Sequence, residues 1–192
     1  MTNLPLKEVK RQLRKQLKSN LKTITQDSLI KQSHLIHQNL LNHEFFKTAN
    51  NIAVFMNMPD SEVKTMEIIE SCFKLGRKSN YMSLLEMPSL EAIHQLKPQG
   101  KYQLLEPLTG NDAIETGILD LIIVPGVAFD KNKNRMGHGA GFYDEFITTF
   151  HNKFKRKPYL LGVALQEQIV DYIPTEPHDW KLDSIITSTN VY

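Results

Sequence analysis

Leu121-Ile-Ile-Val-Pro-Gly-Val-Ala-Phe129 is the longest unbroken apolar run in the chain, counting glycine and proline. Its first part, extended back to residue 118, reads as a strand buried on both faces, the pattern of a parallel sheet covered by helices rather than of a half-solvated one. Similar short apolar runs at residues 51–58, 159–165 and 184–187 read as further strands, and residues 81–85 as a shorter one. Helical patterns separate them at residues 65–75, 89–96 and 142–150, the first ending at Gly76. Strands alternating with helices predict an α/β fold built on a mostly parallel sheet.

Upstream of the first strand, Leu6, Val9, Leu13, Leu17, Leu21 and Ile24 recur at steps of three and four, the period of an amphipathic helix. At about 100° per residue, Lys10 and then Arg14 fall closest to this apolar stripe, whereas Arg11, Lys15 and Lys22 point away. A second helix is expected over residues 25–46, capped by Thr25 or Asp27.

The chain has 192 residues, 41% hydrophobic and 23% charged, which fits one globular domain with its own core. The apolar run falls far short of the about 20 residues that span a bilayer, so no membrane partner is expected. One cysteine, Cys72, cannot form a disulfide within the chain and suits a reducing compartment, so the cytoplasm is the expected location. Residues 7–22 hold seven Lys or Arg against one acid, Glu8, while the rest of the chain carries 16 basic and 20 acidic residues. This asymmetry suits an anionic partner for the N-terminal helix. The helix also resembles a mitochondrial presequence, the alternative address.

Beyond the central run comes Arg135-Met-Gly-His-Gly-Ala-Gly-Phe-Tyr-Asp144. Three glycines at alternate positions free the backbone to take positive φ, and successive amides leading into a helix N-terminus form a phosphate cradle. Neither the P-loop nor the dinucleotide fingerprint fits: no Gly-Lys-Ser/Thr follows, and Phe142 stands where a third fingerprint glycine would be. A tight strand-to-helix connection is the plain alternative.

The residues from Val124-Pro-Gly-Val-Ala-Phe-Asp130 through Arg135–Asp144 closely resemble the signature of the 5-formyltetrahydrofolate cyclo-ligases, also called methenyltetrahydrofolate synthetases. The resemblance extends to Lys10-x-x-x-Arg14, Met56, Glu62-Val63-x-Thr65, Leu96-Lys-Pro-Gln-Gly100, Asp179 and Asp183, with wording nearest to fungal members. It implies a single domain over residues 1–192 with a three-layer helix/sheet/helix fold like that of ribose-phosphate isomerases and CoA transferases. It also implies ATP- and Mg²⁺-dependent cyclisation of 5-formyltetrahydrofolate to 5,10-methenyltetrahydrofolate by a monomer, with release of ADP and phosphate.

By the same resemblance, ATP would be held by Lys10, Arg11, Gln12, Leu13 and Arg14, and by Arg135 to Tyr143, namely Met136, Gly137, His138, Gly139, Ala140, Gly141 and Phe142 between them. Lys10, Arg14, Arg135 and Tyr143 would carry the catalysis. Folate would meet Met56, Glu62, Tyr102 and the loop from His138 to Phe142, and Asp144 and Asp179 would hold Mg²⁺, with Asp183 the weaker metal candidate.

This sequence departs from the family pattern at Phe142, where tyrosine is common, at Ala140, where glycine or lysine is, and after Lys78, where a strand and loop are usual but only Ser79 and Asn80 precede Tyr81. Either residues 81–85 fill that strand's position, or the sheet is locally rebuilt, or the sequence lacks a segment. An inactive protein that still binds ATP or folate is therefore the alternative function. Nucleic acid is not an expected partner, because no aromatic residues interleave the basic ones in residues 7–22. His34 and His37 share a helix with no third metal ligand within sequence reach and read as solvated surface. Cys72 reads as a buried, inert thiol.

Overall fold

The structure, a computed structural model, describes residues 5–58, 62–76, 78–81, 84–99, 104–105 and 107–192. Three helices come first: α1 (Leu6–Leu21), α2 (Gln26–Asn42) and α3 (Glu44–Thr48). Strand β1 (Asn51–Ala53) then leads through α4 (Met66–Lys74) to β2 (Lys78–Tyr81) and β3 (Leu85–Met87), followed by α5 (Leu90–His94), a small ribbon of β4 (Pro98–Gln99) and β5 (Leu104–Leu105), and α6 (Ala113–Thr116). The second half runs through β6 (Leu121–Val124), β7 (Ala128–Asp130), β8 (Arg135–Met136), α7 (Phe142–Phe154), β9 (Tyr159–Val163), β10 (Ile169–Val170) and β11 (Ser184–Ile186).

The main sheet has the order β11-β9-β6-β1-β2-β3. Every pairing in it is parallel except that of β2 with β3. Side chains leave β6 in alternation: Leu121 and Ile123 pack with Ile36, Leu40, Ile68 and Ile69 from α2 and α4, whereas Ile122 and Val124 pack with Ile147 and Phe150 from α7. The three-layer reading is thus borne out. Each of these fully buried aliphatic side chains contributes about 1.5–3 kcal/mol, so packing rather than helix propensity holds the outer layers.

Several elements differ from expectation. Helix α2 stops at Asn42 because His43 takes an extended conformation (φ −72°, ψ 131°), and this corner turns Phe46 of α3 into the core. Strand β1 ends at Ala53, where its pairing with both neighbours ends, and residues 54–58 run on into a cavity. The single strand expected over residues 81–85 is two: Tyr81 ends β2 and Leu85 begins β3. Because β2 starts at Lys78 and pairs Asn51↔Lys78 through Ala53↔Asn80, the position feared missing beside β1 is filled.

The topology sets the site. From β1 the chain moves to β2 and β3 on one side, then returns to β6 on the other side and continues outward to β9 and β11. The direction of winding reverses between β1 and β6, and ligands of open α/β sheets bind outside the carboxyl ends of strands at such a switch point. There β7, β8 and β10 form a second small sheet, against which α1 packs Leu17. Among the described residues no helix is long and apolar enough to cross a membrane.

Candidate functional site

A cavity of about 610 Å³ opens where β1 and β6 end, a size typical of small-molecule sites. Its walls are the inner edge of α1, the β7–β8 hairpin, the glycine loop with the first turn of α7, and the segment around residues 176–179.

The loop's conformation requires glycine. Gly139 has φ +111° and Gly141 φ +76°, both in the left-handed region that side chains disfavour. A Cβ on Gly139 would meet nothing closer than 3.6 Å, so backbone angle rather than space excludes larger residues there. Gly141 is the N-cap of α7, so the amides of the first turn of this helix lack intrahelical partners, as at any helix start. Two guanidinium groups brace the loop. Arg14 Nε donates to the Gly137 carbonyl at 2.8 Å, and Arg135 Nη1 lies so close beneath that a Cβ on Gly137 would stand 3.1 Å away.

Arg135 reaches this place through a hairpin built on Asp130. That fully buried carboxylate accepts from the amides of Asn132, Asn134 and Ile173 and from the Asn134 side chain, all within 3.0 Å. Arg135 Nη2 donates to Asp144 Oδ2 at 2.7 Å, with side-chain exposures of only 5% and 16%, and the other Asp144 oxygen accepts from the Trp180 amide at 2.9 Å. Arg135 Nε is buried and has no partner among the described residues.

Lys10, buried on α1 as its place beside the apolar stripe predicts, donates to Asp179 Oδ2 at 2.6 Å and to Glu176 Oε2 at 2.9 Å. Burial works against its charge, but these two bonds outweigh it and hold its pKa above the usual lysine value. For Asp179, burial alone would raise the pKa, and the bonds from Lys10 and the Glu176 amide bring it below the ordinary carboxylate value.

The opposite wall carries Met56, Phe55 and Glu62. Glu62 is 7% exposed and accepts from the Met58 amide at 2.8 Å. Burial pushes its pKa up to about 7, and the single amide bond offsets only part of this. Burial also raises the Tyr143 hydroxyl, against the pull of Arg135, whose guanidinium lies 5.5 Å over the Tyr143 ring. His138 is held below its ordinary value by burial and then by Lys18 and Arg14. Phe142 presents an exposed ring edge-on to Tyr143 at 5.4 Å.

Lys10, Arg14, Met56, Glu62, Asp179 and the whole run from Arg135 to Asp144 therefore line one cavity. Three neighbours of Lys10 do not. Arg11 and Gln12 both donate to Glu8 on the solvent side of α1, and Leu13 packs against the cluster of Leu17, Val127 and Met136. Asp183 accepts from Lys157 and from the Leu160 amide, away from the cavity. Tyr102 lies outside the described residues. Glu176 and His178 also line the cavity; their signal was their place beside Asp179 in Glu176-Pro-His-Asp179.

The donor set suits Mg²⁺, a hard cation that takes one or two carboxylates along with phosphate oxygens and waters. Asp144 and Asp179 stand on either side of one backbone link, since Asp144 Oδ1 holds the amide of Trp180, the residue after Asp179. Asp179 Oδ1 stands 3.7 Å from His178 Nε2, beyond hydrogen-bond distance, and keeps coordination capacity.

Comparison with known proteins agrees with this geometry. Residues 6–188 match the 5-formyltetrahydrofolate cyclo-ligase family. The 5-formyltetrahydrofolate cyclo-ligase of Mus musculus is 34% identical over 198 residues, covering 97% of both chains. That of Saccharomyces cerevisiae is 36% identical over 200 residues, covering 92% of this chain and 94% of the other, so the likeness is about as strong to a mammal as to a fungus. Among solved structures, the NMR structure of Aquifex aeolicus 5,10-methenyltetrahydrofolate synthetase shares the fold with a TM-score of 0.78 at 24% identity, covering 95% of this chain and 91% of the other. A glycine loop braced by two arginines at the switch point of a parallel sheet, in a chain matched almost end to end, places this protein in the 5-formyltetrahydrofolate cyclo-ligase family.

Proposed function

We propose that the protein uses ATP and Mg²⁺ to convert 5-formyltetrahydrofolate to 5,10-methenyltetrahydrofolate, ADP and phosphate. In the balanced reaction the formyl oxygen bonds to the γ-phosphorus as the bond to ADP breaks. N10 then closes on the formyl carbon as the C–O bond breaks, phosphate leaves, and the N10 proton is released. No protein nucleophile is needed, so the chain's work is positioning and charge compensation.

The observation that carries this reading is the loop from Gly137 to Gly141, facing the same cavity as the buried Glu62. The loop amides and the first turn of α7 would cradle the triphosphate, with Arg14 and Arg135 beside them and the unpaired Arg135 Nε left to an oxygen acceptor. Asp144 and Asp179 would hold Mg²⁺, which when bound would neutralise phosphate charge. Glu62, with Met56 beneath, would accept hydrogen bonds from the amino and ring NH groups of the pterin. Phe142, without a hydroxyl, would act through its ring alone.

Ion-pair exchange accounts for the site's self-sufficiency. Before ligand binds, Lys10 holds Asp179 and Arg135 holds Asp144. Arrival of a metal–nucleotide complex would let the acids turn to the cation and the bases to phosphate, with no charge left unpaired. The inactive alternative loses its motive, because the main sheet has its strand at Lys78–Tyr81. Purified protein given MgATP and 5-formyltetrahydrofolate should develop the near-ultraviolet absorbance of the methenyl product and release ADP; a flat trace at saturating substrate refutes the proposal.

A further inference from the structure

We infer that His34, His37 and Glu67 form a second metal site, outside the cavity, that takes a divalent transition ion of zinc's class. His34 and His37 lie three residues apart on α2 and so share a face, and Glu67 in the first turn of α4 packs opposite them. The third ligand that the local sequence lacks thus arrives from another helix. The Nδ1 atoms of both rings lie 3.0 Å from the same oxygen, Glu67 Oε2, and one ligand atom from each residue falls within 4.8 Å of the others. Tetrahedral zinc with bonds of about 2.0–2.1 Å holds its ligand atoms about 3.3–3.4 Å apart, so each N···O edge need open by only a few tenths of an ångström.

Each ring has a partner on its outer nitrogen, as metal-bound histidines do. The outer nitrogen of His37 is 2.8 Å from Ser71 Oγ, and that of His34 is 2.9 Å from the Gln38 amide. As it stands the Gln38 NH₂ donates to His34 Nε2, which keeps the ring proton on Nδ1, so zinc must displace that proton and the amide must turn. With Nδ1 ligating, Nε2–H donates to Ser71 Oγ in His37 and, once the Gln38 amide turns over, to its oxygen in His34. Two imidazoles and a carboxylate suit zinc, whereas Mg²⁺ and Ca²⁺ favour sets made wholly of oxygen. Side-chain exposures of 52%, 13% and 51% for His34, His37 and Glu67 anchor the cluster at the most buried histidine and leave an entry path and a fourth position for water.

An ion here would cross-link α2 to α4. The same two helices flank the segment after Glu62, where Ser33 Oγ accepts from the Lys64 amide at 2.9 Å. The site therefore clamps the elements behind one wall of the cavity without touching it.

The test is calorimetric titration of Zn²⁺ into the full chain, with and without saturating Mg²⁺, together with thermal unfolding. One zinc per chain should bind whether or not Mg²⁺ is present, and zinc at about 100 times its Kd should raise Tm by about 5–10 °C. Losing an outer-shell partner costs about 10–100-fold in metal affinity, so Ser71→Ala, which keeps all three ligands, should weaken zinc about tenfold, and His34→Ala or Glu67→Gln at least as much. The one other such cluster among the described residues is Glu176, His178 and Asp179, and His178→Ala should leave zinc affinity unchanged. Absence of zinc binding overturns the inference, as does binding that survives His34→Ala in folded protein or is lost with His178→Ala.

Discussion

Replacing Glu62 by glutamine should stabilise the fold at pH 8, but not at pH 5, while kcat/KM falls. The carboxyl is almost fully buried, accepts one backbone hydrogen bond and has its pKa pushed up from 4.5 to about 7. The folded state therefore binds the proton more tightly than the unfolded chain. Stability is greatest below pH 4.5 and falls as pH rises through about 7. At about 1.4 kcal/mol per pH unit, that gap amounts to about 3 kcal/mol lost once the group is ionised. Glutamine carries no charge and keeps an oxygen for the Met58 amide, but its NH₂ group replaces acceptor with donor, at a cost of about 1 kcal/mol. The net gain is about 2 kcal/mol at pH 8, or about 4–8 °C in Tm, and none at pH 5. Urea unfolding of both proteins at the two pH values measures the difference. An equal difference at pH 5 and pH 8 refutes the reasoning, because an effect independent of pH cannot come from burying an ionisable group. In the same variant kcat/KM should fall at least about tenfold, mainly through KM for the folate, if the carboxylate is kept for an NH-rich ligand rather than for stability.

Arg135→Met keeps much of the volume but leaves Asp144 without its cation. It should destabilise the fold by about 3 kcal/mol in urea unfolding and lower kcat by about 100–1000-fold in initial-rate assays. Gly139→Ala must hold an alanine near φ +111°, costing about 1–3 kcal/mol locally; KM for ATP should rise about tenfold with KM for folate unmoved, and the reverse split would displace the nucleotide from the loop. Asp179→Asn should raise the Mg²⁺ concentration for half-maximal turnover at least tenfold, whereas Asp183→Asn, which loosens Lys157 and the Leu160 amide, should lower stability by about 1–2 kcal/mol without changing the Mg²⁺ dependence.

The layered sheet is legible in the sequence where burial is two-sided. Leu121–Val124 has no polar residue because each face meets a helix, and that pattern is local. Lys78–Tyr81 carries no such signal: Lys-Ser-Asn-Tyr has little strand propensity, and its conformation comes from pairing with β1, which tertiary context alone decides. The β7–β8 hairpin is hidden for a similar reason. Two- and three-residue strands make no pattern, and one of the bonds that fixes the turn joins Asp130 to Ile173, 43 residues away. His43 shows the converse, a strong helical period interrupted so that Phe46 can reach the core.

The candidate site divides along the same line. Lys10 and Arg14 are legible because helical period places them beside an apolar stripe, and the glycines because the chain needs positive φ at 139 and 141. What local pattern hides is that the bases come with their own acids. Glu176 and Asp179 lie 166 and 169 residues from Lys10, beyond any periodicity. Yet the site could not fold as a phosphate cradle without them. Of the cations that line the cavity, Lys7 and Lys18 are exposed but Lys10 and Arg135 are buried, and without counter-charges a buried lysine would shed its proton and a buried arginine would unfold the wall that carries it. Raised Lys10 and lowered Asp179 pKa values are the imprint of that mutual support. Charge compensation also bears on what binds: an anion that draws Lys10 and Arg135 from their acids leaves two carboxylates stranded, whereas one arriving with a divalent cation satisfies both partners of each pair at once.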